Sequence, residues 1–356
     1  MESAKKMSLR EKVGQLFIVR PESLEPAIRY DSDAELPPYK LQAVSDGMRR
    51  RAERYPVGGV LLYGHNIDGP AQLETFARDL KALPGAPLLC IDEEGGRVSR
   101  LANNPAFDVP RYESAAAMAA AGPDKTYEAA RAIGNYLKRY GFDIDFAPVA
   151  DVNTNPDNII IGTRAFSDDP KRAAPLVAAF VRGLQDAGVT ACLKHFPGHG
   201  DTLADTHLGY AFTRKSWEEI DACEMVSFRE GIRAGARLVM AAHIAAPAVT
   251  GTDVPSTLSP VILTEKLRGE LGFDGIIITD ALEMGAVTRQ YGSGDAAIKA
   301  LQAGADLLLC PLDLCAAFDA VLDAVQTGKL PELRLDESIR RIRLILSRTD
   351  SGTRSS

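Results

Sequence analysis

The chain lacks the means for a disulfide framework. Its five cysteines are odd in number, and Cys90, Cys192 and Cys310 lie inside apolar runs, where a free thiol serves as a small hydrophobe. Reduced core thiols in a cytosolic protein are expected, in place of paired cysteines or a zinc site. Charge of one sign is also scarce. Lys and Arg number 41 against 48 Asp and Glu, a net of −7. No basic run extends beyond Arg49-Arg50-Arg51, which leaves no electrostatic footprint for a phosphate backbone or an anionic lipid. Nowhere do about 18 apolar residues follow one another, so no segment is long enough to span a bilayer. The N-terminal stretch carries Lys5, Lys6, Arg10, Glu11 and Lys12 without an apolar core, so no secretory leader is expected, although a removed leader and a secreted form stay open. These absences predict a soluble, cytoplasmic protein with neither nucleic acid nor membrane as partner; composition does not set the oligomeric state, and a monomer is the expectation.

What is present is ordinary globular usage. Forty-six per cent of the residues are hydrophobic and 25% charged, which excludes disordered, collagenous and coiled-coil classes. The 356 residues fit two domains of about 150 residues or one α/β barrel of about 250 with insertions. Apolar runs at Gly14–Val19, Val57–Tyr63, Pro87–Ile91, Asp143–Val149, Val189–Leu193, Ala236–Met240, Gly275–Thr279 and Ala305–Cys310 read as strands covered on both faces, since a half-solvated strand would alternate. Between them lie segments of helical spacing, such as Leu73, Phe76, Leu80, Leu83 and Leu176, Phe180, Val181, Leu184. Ser216 with Glu219 marks a capping box, Ser259 before Pro260 a helix start, and Gly272 a helix stop. Alternation without linker or repeat predicts an α/β fold, a single (β/α)8 TIM-type barrel with extended βα catalytic loops over residues 1–347, followed by a disordered tail at 348–356. The competing doubly wound sheet lacks its main cue, a GxGxxG after the first strand.

In such a barrel the chemistry sits where strands end. There the chain turns polar: Asp92-Glu93-Glu94-Gly95-Gly96-Arg97 after the third strand, Asp151 and Asn153 through Gly162-Thr163-Arg164 after the fourth, Lys194-His195 through Asp205-Thr206-His207 after the fifth, His243 after the sixth and Asp280 after the seventh. Buried charge is costly unless paired or used, so its concentration at one end of the strands predicts a site. His195, His199, His207 and His243 all fall in this set, and His65 follows the second strand. An isolated Asp280, an acidic Asp92, an Arg and Lys pair, and a His207 with Asp205 two residues before it suit covalent chemistry on a neutral polyol. Retaining glycoside hydrolysis needs a carboxylate nucleophile and a proton donor at the leaving oxygen. An imidazolium supported by a carboxylate can be that donor.

Lys194-His195-Phe196-Pro197-Gly198-His199-Gly200-Asp201-Thr202, Asp205-Thr206-His207 and Ile278-Thr279-Asp280-Ala281-Leu282 resemble the β-N-acetylglucosaminidase branch of glycoside hydrolase family 3. The similarity continues through Asp92-Glu93-Glu94-Gly95-Gly96-Arg97, Ile161-Gly162-Thr163-Arg164 and Thr257-Leu258-Ser259-Pro260, and covers Leu9 to Leu346. The resemblance implies a TIM-type barrel and a retaining β-N-acetylhexosaminidase acting on non-reducing terminal β-linked N-acetylglucosamine of peptidoglycan fragments or chitooligosaccharides. It implies Asp280 as nucleophile, His207 as general acid/base, Asp205 as the group that orients and charges it, and Asp92, Arg164, Lys194 and His195 as ligands of the sugar hydroxyls. Many members carry a second αβα domain; this chain resembles the compact single-domain enzymes of peptidoglycan recycling. Ala241-Ala242-His243 departs from a more polar dipeptide before that histidine.

Other residues have blander expectations. Glu93 and Glu94 read as loop carboxylates or rim ion pairs, Arg97 as a clamp, His199 as a brace of the glycine-rich loop, and Asp201 as a loop-fixing residue. The loop from Gly198 to His207 is the candidate to close the pocket. A phosphorolytic variant stays open, because a histidine repels phosphate less than a second carboxylate would. A metal-dependent hydrolase would draw on His195, His199, His207, His243 and Asp280. Against it, Phe196-Pro197-Gly198 denies the first pair a helix, and the first strand ends Ile18-Val19-Arg20-Pro21 with no HxH. A non-catalytic sugar-binding barrel would not need both nucleophile and His/Asp pair. No metal and no cofactor is called for.

Overall fold

The computed structural model describes residues 7–28, 40–204 and 211–350. Each expected apolar run contributes a barrel strand: β1 Phe17–Val19, β2 Gly59–Leu61, β3 Leu88–Ile91, β4 Ile144–Asp145, β5 Thr190–Phe196, β6 Leu238–Ala241, β7 Ile276–Thr279 and β8 Leu308–Leu309. They form one parallel sheet of eight strands in the order β7-β6-β5-β4-β3-β2-β1-β8. The sheet closes between β7 and β8, where Ile278 bridges Leu307 and the Leu309 N–H donates to Thr279 Oγ1 at 2.9 Å. This is the (β/α)8 barrel expected from the alternation. Among the described residues no helix is long and apolar enough to cross a membrane.

The differences in strand limits have local causes. The first run begins at Gly14, too early, because Ser8 and Glu11 form a capping box that starts the helix Leu9–Gly14, and β1 opens only at Phe17. Pro148 has no N–H to give, so the ladder of β4 stops at Asp145 and resumes only as a bridge from Val149 to Lys194. Conversely β5 runs three residues past Leu193, through Lys194, His195 and Phe196, all buried. The helix that follows Ser259 and Pro260 is wound as a π-helix over Val261–Glu270. The final helix spans Glu332–Asp350, so the expected boundary at 347/348 falls inside it, and residues 351–356 lie outside the described ones.

The helices Pro123–Arg139 and Pro170–Asp186 pack closely, and glycine makes that possible. A Cβ on Gly183 would stand 2.5 Å from the Tyr127 carbonyl oxygen, and one on Gly134 2.5 Å from Ala187 Cβ. At the N-terminal end of the strands, Asp306 is fully buried among Arg268, Arg334 and Arg341, and accepts from Ser338 Oγ at 2.7 Å and the Ile277 N–H at 3.0 Å. This ionic cluster ties β7, β8 and the last helix together at the end of the barrel associated with stability. The cysteines described are all free, with Cys90, Cys192 and Cys310 buried.

Candidate active site

At the other end of the barrel polar residues follow directly on β3 and β7 and occupy the end of β5. After β3, Asp92 enters a short hairpin, Glu93–Gly95 paired with Val98–Ser99. Successive side chains of a strand point to opposite faces, and this separates the two glutamates. Glu93 turns into the fold, where it accepts the N–H groups of Arg100, Leu101 and Ala102 at 2.6, 3.0 and 2.9 Å and the Tyr136 hydroxyl at 2.9 Å. Burial raises its pKa against those donors. Glu94 turns toward the barrel axis, and the hairpin brings Arg100 back to Asp92 at 3.3 Å.

Glu94 and Lys194, both buried, form one ionic cluster with the half-buried Asp92 and Arg164. Lys194 Nζ lies 2.8 Å from Asp92 Oδ1 and 2.6 Å from Glu94 Oε1. Arg164, presented by the single turn Gly162–Arg164, grips Glu94 with two nitrogens at 2.9 and 2.7 Å. Burial alone would raise the glutamate, but Lys194 and Arg164 reverse it and hold Glu94 at about 2. Asp92 is likewise lowered, because Lys194 and Arg100 outweigh its desolvation. For Lys194, burial works downward and the two carboxylates more than restore its charge, so it stays an ammonium at any physiological pH.

Asp151, after β4, organises the next pair. It is buried and accepts His195 Nδ1 at 2.7 Å, the His195 N–H at 3.2 Å and the His199 N–H at 2.6 Å. Desolvation opposes its charge, but His195 and His199 outweigh it and lower its pKa. Because a carboxylate only accepts, Nδ1 of His195 carries the proton, and Nε2 is left facing Arg164 Nη2 at 3.5 Å. His199 braces the loop as expected: its Nδ1 meets Thr202 Oγ1 at 2.7 Å. Gly200 beside it cannot be replaced, since a Cβ there would lie 1.8 Å from the Val152 carbonyl oxygen.

Asp280 stands at the end of β7, half-buried, with its N–H on the Ala241 carbonyl at 2.8 Å and its Oδ1 accepting the Ala281 N–H at 2.8 Å. His243 supports it from below. That ring is buried, its Nε2 donates to the Ala281 carbonyl at 2.9 Å, and its Nδ1 meets Thr257 Oγ1 at 2.7 Å. Burial lowers its pKa despite the charge of Asp280.

Of the residues expected to act, Asp92, Arg164, Lys194, His195 and Asp280 line one cavity of about 200 Å³, which Arg100 and Tyr63 also line. Asp205 and His207 lie outside the described residues. The strands flanking them, Leu203–Ala204 and Ala211–Phe212, pair antiparallel, and the second also pairs with Ile244–Ala245 after β6. His65 is elsewhere, bonded to Glu22 at 2.9 Å. Among the described residues no three His, Cys, Asp or Glu side chains converge as metal ligands. One group was not expected in the site: Arg100, which only the hairpin returns to Asp92. Glu94, read as a rim ion pair, makes that pair with Arg164 and Lys194, and Asp151, placed at a strand end without a role, is the acceptor that fixes His195. Asp151→Asn is expected to lower kcat/KM by between about 10- and 100-fold, chiefly through KM, because His195 loses its orientation. Unchanged steady-state kinetics in the variant would remove this role.

A closed parallel barrel with a carboxylate and a charge-compensated polar pocket at its C-terminal rim is the architecture of the TIM-barrel enzymes. The chain belongs to glycosyl hydrolase family 3: the model of the family's N-terminal domain matches residues 8–345. A β-hexosaminidase of Stenotrophomonas maltophilia is 37% identical over 281 residues, 77% of this chain and 81% of its own length. β-Hexosaminidase A of Pseudoalteromonas piscicida is 34% identical over 316 residues, 81% of this chain and 53% of its own. The solved structure of a family 3 β-N-acetylglucosaminidase from Paenibacillus sp. FPU-7 superposes with a TM-score of 0.85 at 37% identity, covering 99% of this chain and 64% of that one. The chain thus spans only about half to two thirds of the length of these last two proteins.

Proposed function

We propose that the chain is a retaining β-N-acetylhexosaminidase that releases non-reducing terminal β-linked N-acetylglucosamine. The observation that supports this most is the single cavity shared by Asp280 and the polar set Asp92, Arg164, Lys194 and His195. The names of the similar proteins support the sugar. In the first step a carboxylate oxygen of Asp280 bonds to the anomeric carbon as the bond to the leaving oxygen breaks. His207, kept charged by Asp205, gives that oxygen its proton. In the second step the neutral imidazole takes a proton from water, whose oxygen displaces Asp280. Lys194, with Asp92 fixed against it, and the His195 Nε2 edge meet the sugar hydroxyls. Arg164, held by Glu94, closes that side. Peptidoglycan fragments or chitooligosaccharides are the substrates, a monomer is the working unit, one catalytic domain extends through the last helix, and the five free thiols suit a reducing cytoplasm.

A comparison of p-nitrophenyl N-acetyl-β-glucosaminide with the corresponding glucoside tests the substrate, with preference for the first as the expected result. Faster glucoside turnover would overturn it. His207→Ala is expected to lose much less rate on this activated leaving group than on a chitooligosaccharide. Equal losses on both would reject His207 as the acid. Product analysis in phosphate buffer, expected to yield free sugar, separates hydrolysis from phosphorolysis by the absence of sugar 1-phosphate.

A further inference from the structure

Beside the polar cavity the rim of the barrel carries an ordered apolar patch. Ile159 and Ile160 are 81% and 52% exposed. Their neighbour Ile161 is fully buried with Val149 and Ala165, so the segment is anchored at one end. Its backbone is held on every side. Asn158 Oδ1 accepts the N–H groups of Ile160 and Ile161 at 3.1 Å each, and Asn158 Nδ2 donates to the His199 carbonyl at 2.6 Å. Arg97, from the hairpin that follows Asp92, donates to the Ile159 carbonyl at 2.9 Å and also to that of Ile160. Arg164, which lines the cavity, donates from Nη1 to the Ile160 carbonyl at 3.1 Å.

A connecting loop fixed by this many hydrogen bonds needs no apolar side chains on its outer face, and two large ones held in water signal something that covers them. Continuity with the cavity decides what that is. One guanidinium, Arg164, grips Glu94 inside the cavity and the Ile160 carbonyl outside it, so the patch begins where the polar lining ends. A glycoside seated with its sugar in the cavity must project its aglycone at the cavity's rim. We propose that Ile159 and Ile160 are the apolar face of the leaving-group subsite, taking aglycones that present an apolar surface, such as an aryl group or a sugar bearing acyl or ether substituents. This assignment rests on the glycosidase reading above and adds the determinant of aglycone choice.

The test compares 4-methylumbelliferyl N-acetyl-β-glucosaminide with N-acetyl-β-glucosaminyl fluoride, whose leaving group is too small to reach the patch and needs no proton donor. In Ile159→Ser/Ile160→Ser the ratio of kcat/KM on the aryl glycoside to that on the fluoride is expected to fall about tenfold, mostly through the KM of the aryl glycoside. Ile159→Leu/Ile160→Leu is expected to restore the ratio. A ratio unchanged by the serine pair, whether both substrates are affected equally or neither is, overturns the subsite. If the unsubstituted chain turns over neither substrate, the glycosidase reading falls and the subsite with it.

Discussion

Asp280→Ala is expected to lower kcat/KM on an aryl N-acetyl-β-glucosaminide by roughly 10⁵-fold, because no other carboxylate can take the place of a covalent nucleophile. Lining the same cavity, Asp92 is bound to Lys194 and Arg100, and Glu94 close by is bound to Lys194 and Arg164. Both are neutralised by ion pairs, which lowers their nucleophilicity. The fold should survive the change. Among the described residues the Asp280 side chain makes one hydrogen bond, accepting the adjacent Ala281 N–H, worth about 1 kcal/mol, while its backbone bond to Ala241 remains. The vacated space admits a small anion. Added azide should therefore restore turnover of an activated substrate and yield the glycosyl azide of α configuration, the product of one displacement instead of two. A β-configured azide, or a loss below about 100-fold in the alanine variant, would exclude Asp280 as nucleophile.

How far these residues could be read from the chain alone depended on the kind of contact. Strands buried on both faces announce themselves as unbroken apolar runs, so all eight were legible. Their ends were legible because the switch from apolar to charged is abrupt: Asp92, Lys194 and Asp280 each follow directly on such a run. What periodicity does not encode is which of several adjacent polar groups turns inward. Glu93 and Glu94 look alike in sequence, yet one is consumed by three backbone N–H groups and a tyrosine and the other by Lys194 and Arg164. Arg100 was hidden because its approach to Asp92 depends on a hairpin made of Glu-Glu-Gly, which has little strand propensity, and Val-Ser, too short to read as a strand. Strand limits failed where hydrogen-bond chemistry overrode hydrophobicity, at the Ser8 capping box and at Pro148.

Lys194→Met should be as damaging to the fold as to the chemistry. Lys194 is 2% exposed and is the cation shared by Asp92 and Glu94. Methionine fills the space but leaves the buried Glu94 and the half-buried Asp92 with only Arg164 and Arg100 to answer them. Breaking a buried ion pair from one side costs about 3–5 kcal/mol, so urea unfolding at neutral pH should show a loss of that size. The sign of the pH dependence follows from Glu94, whose pKa is depressed from the ordinary 4.5 to about 2. A depressed carboxylate stabilises the native state above its unfolded pKa and loses that contribution as pH falls through the folded one. The difference between the unsubstituted and Lys194→Met proteins should therefore be widest above pH 4.5 and narrow as the pH falls from there toward 2, where Glu94 takes up a proton in both. Adding Glu94→Gln removes one of the stranded charges and should recover about half of the lost stability. It should recover none of the activity, which falls on the order of 10³-fold because a charged donor to the sugar is gone and Asp92 is released from its position. A Lys194→Met protein within about 1 kcal/mol of the unsubstituted one at neutral pH would mean that water already screens this cluster.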